Sequence, residues 1–428
     1  MADEGWTAAP ARLGQALEHA WRANVFHYAA SLAFLQGAPF LVQAACARLL
    51  GPDDFGRLRV LETILGILLI PAGLGLSSAI VRYGSLAVGR EQIEGYLGRA
   101  LAVSTGFGVL FAGVAAALLL ILPIESGLRF PLLVLVWSLP VTNATRIALN
   151  YLQARQRVRE VVGLNVLSAI VAFAFAVGGA WFAQLNGWTW GRVAGAILPA
   201  VLLAVLLRSE IGRLAPKDAF RPMLRFGLLM AFSLGVDKLA GTADTLYIQA
   251  FLGQSGQVGQ YGAASLALQA ASLLPVAAIG LAVPRLAGMA GDVVELVGFI
   301  RRHVGVYLVA LVGLTLGLAV FGPPAVLAGL GPSYGPAAQL IPVLAPSLLL
   351  IGLLQAGGAM LIAFDRGDLA VLQSLTGLGL NVALNAFLLP SYGLWGAAVA
   401  AVLTQAARLV LMWFLVRSAM GRARGVAG

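Results

Sequence analysis

Residues 101–122 read LAVSTGFGVLFAGVAAALLLIL, an unbroken stretch without one charged side chain. A helix needs about 20 mostly apolar residues to cross the hydrocarbon core of a bilayer, and this stretch meets that requirement. Working outward, the same kind of run recurs along the whole chain, at roughly 24–48, 58–82, 97–122, 131–153, 161–184, 190–208, 223–251, 257–284, 302–328, 338–363, 369–390 and 393–417. Hydrophobic residues make up 60% of the sequence and charged residues 11%, with mean hydropathy +0.90. A soluble domain carries roughly a quarter charged residues. The expected fold is an all-α polytopic membrane protein of about twelve transmembrane helices.

Charge placement orients it. The N-terminus, the C-terminus and the connections after even-numbered spans hold twenty of the 28 basic residues, among them Arg90, Arg155, Arg157, Arg159, Arg213, Lys217, Arg221, Arg301, Arg302, Arg422 and Arg424. The opposite connections hold Arg48, Arg57, Arg59, Arg129 and Arg192, and three cations (Arg146, Lys238, Arg408) fall inside spans. Short loops rich in Lys and Arg stay in the cytoplasm, so both termini are expected there. The formal charge of +10 is then a topological signal spread over short segments. A nucleic-acid footprint would gather it on one face.

Other features narrow the chemistry. The single cysteine, Cys46, lies in a span, and the three histidines (His19, His27, His303) are far apart, which argues against a disulfide framework or a zinc site. No cofactor is expected beyond a coupling proton or sodium ion. The first twenty residues lack a signal-peptide pattern. Within 11–22, Leu13, Ala16, Leu17, Ala20 and Trp21 share a helical face, which reads either as a helix lying on the membrane surface or as a cap on the first span. No connection is long enough for a soluble domain. An enzyme is not expected.

The halves resemble each other at a spacing of roughly 200 residues. Leu50-Gly51, Pro71 and Arg82 answer Leu252-Gly253, Pro275 and Arg285. Gly187, Trp190 and Gly191 answer Gly393, Trp395 and Gly396, and Ala154 to Arg157 answers Ala363 to Arg366. Two six-span repeats inserted in the same sense are related by an axis along the membrane normal, with a site between them near the midplane. The expected organisation is an interfacial segment 1–23, a first lobe 24–208, a cytoplasmic linker 209–222, a second lobe 223–417 and a cytoplasmic tail 418–428.

Polar residues inside spans mark the candidate site. An ionised group facing lipid costs roughly 2.5–3.5 kcal/mol, so Glu62, Arg146, Asp237, Lys238, Asp244 and Arg408 should face one another or a hydrated cavity. Asn143, Arg146, Asn150, Gln153 and Arg157 recur at steps of three and four, which aligns them on one face. Shorter stripes comprise Tyr261, Ser265, Gln269 and Ser272; Ser374, Asn381 and Asn385; Asn24, His27 and Ser31; and Gln405 with Arg408. Either such stripes line a lumen or they bond helices together. Asp237 and Asp244 share a face and are candidates for binding a coupling ion, the rival being a structural ion pair. Glu62 falls near the edge of its span. The many glycines and the prolines within spans (Pro39, Pro71, Pro140, Pro199, Pro275, Pro346) suit helices that pack closely and bend.

Segments 47–58 (ARLLGPDDFGRL) and 73–82 (GLGLSSAIVR) resemble the first helical hairpin of bacterial polysaccharide exporters, the O-antigen type flippases of the multidrug/oligosaccharidyl-lipid/polysaccharide (MOP) superfamily. Residues 235–238 (GVDK) through Asp244, with Gly253 and 258–261 (VGQY), resemble the start of their second half. The resemblance implies two six-helix lobes in a V around a central cavity. It also implies transfer of a polyprenyl-diphosphate-linked oligosaccharide from the cytoplasmic to the outer leaflet of a bacterial inner membrane by alternating access. Arg146, Lys238 and Arg408 would then meet the diphosphate, while Asn143, Asn150, Gln153, Gln269, Asn381 and Asn385 would meet sugar hydroxyls. A membrane potential, worth about 2.3 kcal/mol per charge per 100 mV, or an ion gradient would drive it. Glycosyltransferases and a glycan polymerase are the expected functional partners. The alternative is a cation-coupled multidrug exporter of the MATE type, which should favour an acidic, aromatic-lined cavity. A peptidoglycan-precursor flippase usually has two further spans, and a glycan polymerase or ligase a large external loop.

Overall fold

A computed structural model describes residues 8–87, 89–289, 293–363 and 367–426, and side chains are discussed for 37–87, 89–280, 301–361 and 372–418. The side chains of 11–22, of Asn24, His27 and Ser31, and of Arg285, as well as residues 364–366, lie outside those ranges. Every described element is helical: α1 (Ala8–Ala72), α2 (Leu76–Leu86), α3 (Arg90–Ile121), α4 (Ser126–Leu135), α5 (Leu139–Ala154), α6 (Val158–Leu206), α7 (Lys217–Leu252), α8 (Ser255–Gly288), α9 (Val293–Leu330), α10 (Gly335–Leu344), α11 (Pro346–Ala363) and α12 (Gly367–Val426). Among the described residues, seven helices are long and apolar enough to cross a membrane, and up to nine when each bent pair counts as one span. The bends are 44° between α1 and α2 and 51° between α10 and α11.

The three longest elements are folded back on themselves. In α6 the helical dihedrals break at Ala183 and Gln184. Beyond the break a Cβ on Gly187 would lie 1.9 Å from the Gly179 carbonyl oxygen, and one on Gly191 would lie 2.0 Å from that of Phe175. Those pairs run antiparallel about the break, so α6 is a hairpin whose arms touch backbone to backbone because glycine has no side chain to hold them apart. In α12 the break is Gly393, and a Cβ on Gly396 would lie 2.2 Å from the Leu388 carbonyl oxygen. α1 breaks at Gly51 (φ 71°), and across that turn Gln43 Nε2 donates to Glu62 Oε2 at 3.0 Å.

These breaks expose the repeat and correct its register. Gln184 (φ 52°, ψ −136°) and Gly393 (φ 56°, ψ −137°) share one unusual conformation. The structural equivalent of Gly187 is therefore Gly396, three residues on from the pairing with Gly393 that sequence similarity suggested. Gly51 (φ 71°) and Gly253 (φ 64°) both have positive φ, in keeping with the pairing of Leu50-Gly51 and Leu252-Gly253.

The first half (α1–α6) and the second (α7–α12) meet at two glycine-lined seams. At the end away from the basic connections, α1 packs on α8: a Cβ on Gly56 would lie 1.7 Å from the Ser255 carbonyl oxygen, and one on Gly259 would lie 1.9 Å from that of Pro52. The Tyr334 hydroxyl donates to the Ala47 carbonyl at 2.7 Å beside them. Towards the basic end α2 packs on α7, where a Cβ on Gly75 would lie 2.0 Å from the Gly227 carbonyl oxygen and Arg82 stacks over the Phe226 ring at 4.6 Å.

The segment joining the halves is anchored. Glu210 accepts from the Tyr151 hydroxyl, from Arg155 at 2.9 Å and from Arg157 at 2.9 Å. Glu94 accepts from Arg90 at 2.5 Å and from Arg213 at 3.2 Å, and the Ala215 amide donates to the Gly95 carbonyl at 2.9 Å. Burial works against the charged form of Glu210. The Tyr151 hydrogen bond and the fields of Arg157 and Arg155 outweigh it and hold this carboxyl below the usual range.

Candidate substrate cavity

Between the halves lies a cavity of about 210 Å³ lined by Glu62, Leu65, Gly66, Leu69, Ser138, Leu139, Thr142, Arg192 and Lys238. Three first-half elements (α1, the turn into α5, and the second arm of α6) and α7 from the second half form it. Gly66 makes room for Lys238: a Cβ there would lie 2.5 Å from the lysine Cε. Lys238 lies within electrostatic reach of Glu62, Arg59 and Arg146, and Arg146 within reach of Arg192. Arg59 donates to Gln43 Oε1 at 2.7 Å, and the same amide donates to Glu62, which ties one cation and the carboxylate into a relay. Among the described residues Lys238 and Arg192 are in no ion pair within 4 Å. Arg146 is exposed, with no side-chain hydrogen bond among the described residues. A cavity lined by Lys238 and Arg192, with Arg146 within electrostatic reach of both and one carboxylate held by a neutral amide, suits a multiply charged anion.

The α5 stripe divides. Asn143 is buried and donates to the Leu69 carbonyl at 3.1 Å, and Asn150 donates to that of Ser77 at 2.7 Å. Both amides thus secure α5 to the carbonyls near the α1–α2 bend, where helical bonding lapses. Arg157 is engaged by Glu160 and Glu210. Arg146 and Gln153 remain exposed.

Second-half candidates form two further clusters. Asp244 accepts from the Tyr261 hydroxyl at 2.8 Å, from Asn381 at 2.8 Å and from Asn385 at 3.0 Å. Asn385 also donates to Asn381 Oδ1 at 3.1 Å, and its own Oδ1 is buried with no donor facing it. Arg408 packs over Gly377, donates to Gln405 and Gln373 at 3.2 Å each, and lies in the field of Asp237. The structure therefore separates Asp237 from Asp244 and Arg408 from the other two intramembrane cations. Gln269 is exposed, and its side chain makes no hydrogen bond among the described residues. No three His, Cys, Asp or Glu side chains are placed to share a metal ion among the described residues.

Sequence position alone places Arg192 and Arg59 in connections and Glu62 at a span edge, whereas the structure turns Arg192 and Glu62 into the cavity and ties Arg59 to Glu62 through Gln43. The available signal was spacing: Arg59 and Glu62 are three apart, hence on one helical face.

The profile of one family, described as polysaccharide biosynthesis protein, matches residues 45–339. A probable low-salt glycan biosynthesis flippase, Agl15, from Haloferax volcanii is 23% identical over 390 residues, covering 88% of this chain and 79% of the relative. Among solved structures, the inward-facing conformation of a multidrug resistance MATE family transporter of the MOP superfamily aligns with TM-score 0.75 at 13% identity, covering 92% of this chain and 96% of that one. The outward-facing conformation of a MATE family transporter aligns with TM-score 0.67 at 13% identity, over 94% and 96%. With its two helical halves and cation-lined cavity, on a fold shared with those transporters, the chain belongs to the polysaccharide biosynthesis protein family.

Proposed function

We propose that this protein flips a polyprenyl-diphosphate-linked oligosaccharide from the cytoplasmic to the outer leaflet of a cytoplasmic membrane, acting as a transporter with no chemical step. The observation that carries this reading is that Arg192 of the first half and Lys238 of the second line one cavity, with Arg146 within electrostatic reach of both. A diphosphate needs cations along its path, and they must belong to both lobes if lobe movement is to carry it across. The probable flippase from Haloferax volcanii supports the substrate class.

In this reading the basic end is cytoplasmic, and the three hairpins each cross twice, which gives twelve passes. Residues 24–208 and 223–417 are the rocking lobes, with 209–222 between them. The seam at Gly56 and Gly259 closes the outer end, while Arg146, Gln153, Asp237 and Gln269 stay open to solvent, as an inward-facing state requires. Asp244 is the ion-coupling carboxylate: Asn381, Asn385 and Tyr261 hold it without a counter-cation, and the orphaned Asn385 Oδ1 offers a second oxygen to Na⁺ or a hydrated proton. The Asp237–Arg408 cluster helps hold α7 against α12. A MATE-type exporter of organic cations would need an acidic cavity, and here the single cavity carboxylate, Glu62, is outnumbered by cations. Glycosyltransferases and a polymerase would act before and after the flip.

The test is leaflet-resolved accounting of lipid-linked oligosaccharide in cells depleted of the protein. Cytoplasmic accumulation relieved by the wild type and not by Arg192→Ala supports the reading. An unchanged leaflet distribution refutes it.

A further inference from the structure

The outer face carries a second site, distinct in its chemistry from the central cavity. A bowl of about 850 Å³ opens there, lined by Pro52, Asp53, Arg57 and Glu125 from the first half and by Gly253–Gln257, Gln260, Pro336, Gly393, Leu394 and Trp395 from the second. Its floor is kept low by glycines: a Cβ on Gly253 or Gly393 would meet nothing within 4 Å, and both residues have positive φ, which favours glycine there. Two carboxylates against one guanidinium leave the bowl acidic where the central cavity is basic, so a diphosphate is disfavoured. Trp395 is 47% exposed on its wall. Among the described residues the Asp53 carboxylate makes no hydrogen bond. Gln257 Nε2 donates to Gln254 Oε1 at 2.9 Å, which leaves the Gln254 amide N–H and the Gln257 carbonyl free to bond outward. A flat aromatic wall beside unengaged carboxylate and amide groups is the chemistry that holds a sugar ring: one apolar face to stack and a rim of hydroxyls to bond.

The bowl exists because the halves are joined at this end. Its two sides are linked by Glu125, which accepts from Arg57 at 3.1 Å within the first half and from Gln249 at 3.3 Å and Ser255 at 3.2 Å of the second. Parting the seam would pull Asp53 and Glu125 away from Gln254, Gln257 and Trp395. A ligand that binds one of two states shifts the equilibrium towards that state. We propose that this bowl binds neutral sugar units of the delivered glycan from outside, and that such binding favours the state with the outer end closed. The inference rests on the flippase reading and adds to it a product-side site that drives the lobes back to face the cytoplasm.

The experiment uses the full chain in lipid nanodiscs and in vesicles. The probe is oligosaccharide released by mild acid from the host's own lipid-linked pool and labelled with 2-aminobenzamide, with binding read by fluorescence anisotropy. Trp395→Ala and Gln257→Ala, each checked for an unchanged thermal midpoint, should weaken binding by about tenfold or more, while Arg192→Ala should leave it unchanged. Spin labels at Leu122→Cys and Tyr392→Cys should show the short-distance population growing as the free glycan is added. Full binding by both bowl variants together with loss in Arg192→Ala would overturn the proposal, as would absence of binding by the wild type. Flipping of the lipid-linked oligosaccharide measured in the same vesicles separates the two ideas. If flipping persists while bowl binding fails, only this inference falls; if the wild type does not flip, the function reading falls with it.

Discussion

Replacing Gly56 by alanine should open the outer end. The added Cβ would sit 1.7 Å from the Ser255 carbonyl oxygen, and ordinary van der Waals contact begins near 3.4 Å. The neighbour is backbone, so no side-chain rotation relieves the clash, and α1 and α8 must part by about 1.7 Å. Overpacking of this kind costs about 1–3 kcal/mol, which corresponds to about a 5- to 150-fold shift towards the open-outside state. Gly259→Ala, whose Cβ would meet the Pro52 carbonyl at 1.9 Å, should act alike. Gly113→Ala, with nothing within 4 Å, is the neutral control. The reporter is a cysteine at Val258, 1% exposed beside the seam, in a Cys46→Ala background and probed from outside with an impermeant maleimide. Labelling should rise at least several-fold with Gly56→Ala and stay at the starting level with Gly113→Ala. Equal labelling in all three would refute the seam as the closure that sets the resting state.

Three other outcomes follow from the same geometry. Glu210→Gln removes the negative charge shared by Tyr151, Arg155 and Arg157 and turns one of the two acceptor oxygens into a donor; it should lower stability by about 2–4 kcal/mol, seen as a lower thermal midpoint and faster proteolysis around 209–216. Because the Glu210 carboxyl is held below the ordinary value, its contribution is present above the unfolded carboxylate range near pH ~4.3 and is lost as the pH falls through its lower folded value. Linker protection should therefore be level from neutral pH to about pH 5 and fail only in stronger acid; loss between pH 7 and 6 would contradict this. Asp244→Asn should remove the dependence of transport on an imposed sodium or proton gradient, and a variant with an undiminished gradient response would exclude Asp244 as the coupling group.

Most of the fold was legible because membrane insertion depends on a one-dimensional property, the length and apolarity of each run, and each predicted span falls, to within two residues at its ends, in a described helix or across two joined by a bend or a short turn. The orientation of side chains within the bundle was not legible to the same degree. Periodicity aligned Asn143, Arg146 and Asn150 on α5 but could not say that the neighbour on that face was the bent backbone of α1–α2, whose carbonyls absorb both asparagines. Arg192 sits two residues into its span, where local sequence reads it as a boundary residue, and only the α6 hairpin and α7 behind it make it a cavity cation. The repeat was visible, yet its register was displaced by three residues at Gly187. The tryptophan–glycine pattern there is cheap in sequence, whereas the backbone break at Gln184 carries no glycine to announce it.

The most direct measurement is lipid-linked oligosaccharide flipping in vesicles reconstituted with the purified chain, comparing the wild type with Arg192→Ala, Lys238→Ala and Asn143→Ala. The account predicts transport by the wild type, a loss of about tenfold or more for each cavity cation, and a stability defect without selective loss of transport for Asn143→Ala. Full transport by both cation variants would contradict the assignment of the central cavity as the path of the charged headgroup.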